Sequence, residues 1–147
     1  MKHKIILKKS VFPVSRNVVW EKLQQLTTLQ YIAKPFASFS PLDSASDFIW
    51  EEGKTFQFHF RLFCLVPFGI HTIHVVQFQK ESYEVYTKEA NVHVPVWNHQ
   101  IILREIERDR TEYIDKVELY AGWKTPFVYL WAKYFYAHRQ KKWLKLL

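Results

Sequence analysis

One cysteine, one methionine and three glycines stand among 147 residues. The lone thiol, Cys64, excludes an internal disulfide framework and a thiolate metal site, since both need several cysteines, and it fits a reducing compartment. No stretch approaches the roughly 18 consecutive apolar residues that span a bilayer. Met1 to Val14 holds only short apolar runs broken by lysines, without the small-residue cleavage site of a secretory leader. A cytoplasmic location is therefore expected. Acid is missing from both ends. Residues 1–20 carry five Lys or Arg and residues 119–147 carry six, with no Asp or Glu in either, whereas the middle has ten bases against fourteen acids. Basic ends suit an acidic partner or an anionic membrane surface, or form a solvated face and favourable charges near a helix C-terminus.

What is abundant is apolar and aromatic: 48% and 18% of the chain. At this length a single domain, 1–147, buries a core without staples. The composition also suits a cavity with aromatic walls. Lys4 to Pro13 reads as a first strand. Ser15 stands as an N-cap, its hydroxyl placed to take an orphan N–H. Val18, Val19, Trp20, Leu23 and Leu26 then recur at helical spacing over Arg16 to Leu26. Thr27 and Thr28 break that helix, and Leu29 to Ala33 adds a further turn before Pro35. Phe36 to Asp47, rich in Ser, Pro and Asp, reads as the main loop, of a length that is often functional or mobile.

Beyond it the period is two. Phe48 to Trp50 starts a strand, and Thr55 to Leu65 runs as a long one with Phe56, Phe58, Phe60 and Leu62 on one face. In Ile70 to Gln79 the inward set is taken as Ile70, Thr72, His74, Val76 and Phe78. Tyr83 to Ala90 follows, with Tyr83, Val85 and Thr87 on one face. Next comes a hairpin from Val96–Leu103 to Tyr113–Leu119, with its turn near Glu107 to Arg110. Side chains alternate between faces, so Trp97, His99, Ile101 and Leu103 share one face. Tyr113, Asp115, Val117 and Leu119 share one as well. Each set carries one ionisable group among apolar neighbours, and the turn brings His99 and Asp115 close. After Leu119 the period lengthens to about 3.6. Thr125-Pro126 reads as N-cap and first helical residue, opening a helix almost to Leu147 with an apolar stripe of Phe127, Leu130, Trp131, Tyr134, Phe135 and His138. Short connections make the strands an antiparallel meander, and the long helix lies across it. The fold class is α+β.

These residues resemble the START-like, or SRPBCC, helix-grip superfamily, which includes the birch-pollen allergen and aromatic polyketide cyclases. Ser15 to Leu23 looks like the family's "VW" helix entry. Trp97-Asn98-His99 followed by Thr111 to Val117 is similar to a "W-x-H" then "T-x-x-x-D-x-V" pattern in its bacterial polyketide cyclase/dehydrase-like branch. The resemblance implies a curved antiparallel sheet of six to seven strands around a long C-terminal helix, with one or two short helices after the first strand. It also implies a cavity between sheet and helix that holds a hydrophobic small molecule or lipid. It implies a scaffold, not a reaction. No fused partner domain, cofactor or metal is expected.

The residues expected to line the cavity are Phe56, Phe58, Phe60, Thr72, His74, Tyr83, Trp97, His99, Asp115, Trp131 and Tyr134. If His99 and Asp115 both face inward, they either move a proton next to a carbonyl, as in a cyclase or dehydratase, or form a buried pair that satisfies itself. His71 and His74, three apart in a strand, point to opposite faces and do not converge on a metal. His59 and His71 are expected at the solvent face. The tail His138 to Leu147 suits peripheral membrane contact or a packed helix with a solvated basic face. No motif supports nucleic-acid binding.

Overall fold

The computed structural model describes residues 2–42 and 49–147. The chain opens with β1 (Lys4–Phe12), then α1 (Arg16–Leu23) and α2 (Leu26–Ala33). Six strands follow: β2 (Ala37–Pro41), β3 (Thr55–Leu62), β4 (Val66–Gln79), β5 (Glu84–Ala90), β6 (Val96–Glu107) and β7 (Arg110–Tyr120). A short 3-10 turn, Gly122–Lys124, leads into α3 (Thr125–Leu146). The sheet order is β1-β7-β6-β5-β4-β3-β2 with every pair antiparallel, so β2 to β7 form a meander and β1 adds to its far edge. At 1.5 Å per residue α3 is about 33 Å long, and it packs across β1, β7 and α2. This is the expected helix-grip architecture.

Alternation decides what faces α3. On β6 the inner set is Trp97, His99, Ile101 and Leu103, and on β7 it is Thr111, Tyr113, Asp115, Val117 and Leu119, all buried. Phe58 and Phe60 do the same on β3. One apolar group gathers Phe39, Phe58, Phe60, Trp97, Phe135 and Tyr136. A second holds Phe12, Trp20, Leu103, Tyr113 and Trp143. There the Phe12 and Tyr113 rings stack at 5.0 Å, and Trp143 closes over both at 5.8 and 5.6 Å. Burying a side chain such as Phe12 contributes about 1.5–3 kcal/mol, so this group clamps the C-terminal end of α3 to the sheet.

Several local expectations are corrected. The break between the short helices falls at Gln24 and Gln25, where Gln25 is extended, and Thr27 and Thr28 belong to α2. Ser15 occupies the N-cap position, but its hydroxyl makes no cap bond; its carbonyl accepts from the Val18 and Val19 amides. Thr125 is the first residue of α3, with Lys124 at the cap; the Thr125 hydroxyl instead donates to Gly122 O at 2.7 Å and accepts from Ala121 N at 2.9 Å. Strand β2 lies inside the stretch read as a loop. Its alternation is only five residues long, with Phe39 inward between Ser38 and Ser40. Residues 49 and 50 are not strand. The remainder of that expected loop beyond Leu42, and Phe48, lie outside the described residues. Tyr83 sits before β5 with φ 52°, in a turn and not in the strand.

Two faces are reassigned. In β4 the buried residues are His71, Ile73 and Val75, so Ile70, Thr72, His74 and Val76 point away from the core and His71 does not face solvent. The register shifts between Val75 and Gln77, where β4 meets β5. One extra residue in a strand reverses the parity beyond it, which returns Phe78 to the inner side against Trp20 at 4.8 Å. In α3 the buried residues are Thr125, Ala132, Phe135, Tyr136, Arg139, Gln140 and Trp143. Phe127, Leu130 and Tyr134, read as core, are exposed at 70%, 54% and 62%.

Candidate functional site

Between the inner face of the sheet and the three helices is a cleft. Leu23, Thr28, Leu29 and Ile32 from α1 and α2 form one side. Ile73, Val75, Val85, Trp97 and Ile101 form the sheet side, and Phe135, Tyr136 and Arg139 the α3 side. The space open to a water-sized sphere is about 70 Å³, and the whole cleft measured out to solvent is about 730 Å³. A larger depression of about 390 Å³ lies on the outer sheet face among Gln77, Tyr86, Asn98, Gln100 and Glu118. It lacks a fully buried ionisable group and is a weaker candidate.

The inner cleft is apolar except for Thr28, Arg139 and one wall on the sheet side. Glu89 of β5 and His99 of β6 both line it. His99 Nε2 and Asp115 Oδ1 of β7 are 2.6 Å apart, with Asp115 fully buried. The register explains the contact: His99 pairs with Val117 and Ile101 with Asp115, so the two polar residues are diagonal neighbours on one face. Gln140 Nε2 of α3 donates to Asp115 Oδ2 at 3.0 Å and to Lys8 O of β1 at 3.0 Å. Asp115 therefore accepts from two elements, and His99 is oriented from behind with Nδ1 left toward Glu89.

Glu89 is held from its own outer side. The Asn91 Oδ1 accepts the backbone amides of His93 and Val94, both at 2.9 Å, so the other end of that amide, Nδ2, is the donor that meets His71 Nδ1 at 3.0 Å. The imidazole accepts at Nδ1 and so carries its hydrogen on Nε2, which donates to Glu89 Oε1 at 2.7 Å. The Thr87 hydroxyl donates to Glu89 Oε2 at 2.7 Å. Burial pushes the Glu89 carboxyl up, but the hydrogen bond from His71, the electrostatic pull of the His71 and His99 rings and the Thr87 hydroxyl outweigh it, so the group sits below its ordinary value. Between the two anchored groups, His99 Nδ1 and Glu89 Oε2 are 3.9 Å apart, too far for a hydrogen bond.

Arg139 adds a buried positive charge at the cleft. Its guanidinium lies 5.1 Å over the Tyr136 ring and 5.5 Å over Phe135, and its Nε has no hydrogen-bond partner among the described residues. Burial opposes the charge, but the carboxylates, Asp115 first and then Glu89, more than compensate and hold it. Burial also pushes the Tyr136 hydroxyl well up, so it stays protonated; it accepts from Trp97 Nε1 at 2.8 Å. Among the described residues no group of three His, Cys, Asp or Glu could hold a metal, and no helix is long and apolar enough to cross a membrane.

Of the residues expected to line the cleft, Trp97 and His99 do so, with Asp115 directly behind His99. Phe58 and Phe60 are buried and Phe56 and Trp131 half-buried in the neighbouring apolar group, outside the lining. Thr72 and His74 lie on the other side of β4, Tyr83 sits at the turn against Trp20, and Tyr134 faces solvent. Glu89, His71, Arg139 and Gln140 went unrecognised. The signal for Glu89 was present: it continues the Val85, Thr87 alternation. Arg139 and Gln140 had none, since polar residues in a basic tail read as solvated. In that tail Arg139, Gln140 and Trp143 are buried, while Lys141 and Lys145 are exposed.

A family model described as Domain of unknown function (DUF8410) matches residues 10–146. No curated protein matches the chain. Solved structures do. A START superfamily protein from Mycobacterium smegmatis superposes with a TM-score of 0.72 at 11% identity, covering 98% of this chain and 96% of that one. The Zhui aromatase/cyclase from Streptomyces sp. R1128 gives 0.67 at 10%, covering 98% and 90%. Norcoclaurine synthase from Thalictrum flavum, in complex with dopamine and hydroxybenzaldehyde, gives 0.67 at 12%, covering 99% and 86%. At such identities the likeness shows the fold alone: a START-like, helix-grip architecture.

Proposed function

We propose that this chain, which belongs to the DUF8410 family, binds a hydrophobic small molecule in the cleft between its sheet and α3. The observation that carries this reading is the composition of the cleft: apolar walls with a few convergent polar groups, the usual construction of a small-molecule site. The START-like neighbours, among them a cyclase and a synthase, support a ligand-holding fold. The space in it open to a water-sized sphere, about 70 Å³, is small. A ring-sized ligand therefore extends beyond it into the wider cleft, whose lining includes Leu23 and Leu29.

Titration with prodan, a neutral two-ring naphthalene fluorophore that brightens in apolar surroundings, tests this. Saturable brightening that is lost in Leu29→Trp, which fills the cleft from α2, is the expected result. No brightening, or equal brightening in the filled variant, overturns the reading.

A second reading, proton transfer at a carbon next to a carbonyl, is favoured by one observation: the His99 imidazole is oriented by Asp115 at 2.6 Å while the same side chain lines the cleft. Such a supported base is the arrangement general base catalysis needs. Hydrogen–deuterium exchange of 2-tetralone followed by NMR should be faster with the protein than in buffer and return to the buffer rate in His99→Gln. Equal rates with and without the wild-type chain remove this reading.

A further inference from the structure

The polar wall of the cleft has a gap of defined size. His99 Nδ1 and Glu89 Oε2 stand 3.9 Å apart, each fixed from behind and neither bonded to the other. His99 is held through Nε2 by Asp115, and Glu89 through Oε1 by His71 and through Oε2 by Thr87. A carboxylate oxygen accepts more than one hydrogen bond, so Oε2 has capacity left beyond Thr87. Among the described residues Nδ1 makes no hydrogen bond. An oxygen atom placed about 2.8 Å from both groups closes a triangle with an angle of about 90° at that oxygen, a reasonable hydroxyl geometry.

We propose that His99 Nδ1 and Glu89 Oε2 form a clamp for one hydroxyl group, so that the ligand is an apolar, ring-sized molecule bearing an alcohol or phenol. This rests on the cleft being a ligand site. The hydroxyl donates to Glu89 Oε2 and accepts from Nδ1–H, while the Nε2–H of the same ring stays with Asp115. A methyl group in the same place leaves Nδ1 without a partner and Oε2 with Thr87 alone, which is the basis on which a site built for a hydroxyl rejects the analogue lacking it. Glu89 acts on the ligand directly here. His71 and Thr87 are positioning residues that hold it.

Phenol and toluene are the probes, because they share a ring and differ by hydroxyl for methyl. An unadorned apolar cavity prefers toluene, since moving a hydroxyl out of water without a partner is costly. The clamp reverses that order. Ligand-observed NMR titration of the full chain should give a dissociation constant for phenol at least tenfold below that for toluene. In Glu89→Met the ratio should fall at least tenfold. If removing the acceptor for His71 and Thr87 prevents folding of that variant, Glu89→Gln, which keeps an oxygen for His71, should lower the ratio at least threefold. Toluene binding equal to or tighter than phenol binding in the wild type overturns the clamp while leaving the cleft as a ligand site. A ratio unchanged in both variants overturns the clamp too. Binding of neither probe overturns the cleft reading on which the clamp depends.

Discussion

Asp115 is fully buried and its two oxygens meet His99 and Gln140, so it ties β7 to β6 and α3 while Gln140 also reaches Lys8 of β1. Removing one partner of a buried ionic contact leaves the other without compensation. Asp115→Ala should therefore lose about 3–5 kcal/mol of unfolding free energy, measured by urea denaturation. Asp115→Asn keeps the shape but turns an amide toward donors, and should lose about 1–3 kcal/mol. A loss below half a kilocalorie in either variant would mean the contact is not formed in solution. Glu89 yields a pH signature. Its carboxyl lies below its ordinary value in the folded state, with His71, His99 and Arg139 the charged or titratable groups that act on it. The unfolded chain thus takes up the proton first as pH falls. The stabilisation is present above the ordinary carboxylate range and is lost as pH drops through the folded value. Melting temperatures followed from neutral pH to about pH 3 should show Glu89→Gln less stable than wild type at neutrality and the gap closing in acid. A constant gap would contradict this.

At the scale of elements, α3 shows why one helix face is harder to read than one strand face. Apolar and aromatic side chains surround it, so Phe127, Leu130 and Tyr134 formed as good a stripe as the residues that are buried. The true inner face includes Arg139 and Gln140, whose polarity argued against it. Their burial depends on Asp115 and the cleft, partners far away in sequence. Strand β4 failed for a related reason: His71 is polar yet buried because Glu89 and Asn91 receive it, and the shift after Val75 inverted the parity on which the assignment rested. Where alternation ran unbroken, as in β3, β6 and β7, the inner face was legible, and with it Trp97, His99 and Asp115. The reassigned face predicts a sharp contrast between neighbours. Phe135→Ala should cost about 3–5 kcal/mol, whereas Tyr134→Ala should stay within about 0.5 kcal/mol. Chemical denaturation of both variants checks the assignment, and a larger loss at Tyr134 would restore the other stripe.

Over the whole molecule, the meander and the terminal helix were legible because short turns leave an antiparallel sheet few alternatives. The turn between Glu107 and Arg110 and the pairing of β6 with β7 fall where expected. β2 was not legible, since five residues with one inward aromatic carry little period. The site was half legible: the His99–Asp115 side came from one hairpin, while the Glu89–His71 side needed β4 and β5 in register and the Arg139 side needed α3 docked. The consequence is a cleft whose lining draws on α1, α2, α3, β2, β4, β5 and β6, and the proposed binding of a small molecule rests on that convergence. Native mass spectrometry of the chain, as purified and after incubation with an apolar extract, tests this most directly. The account predicts the chain mass plus a small organic species that leaves on collisional activation and is absent from Leu29→Trp. The bare chain under both conditions, or the same adduct on the filled variant, would contradict it.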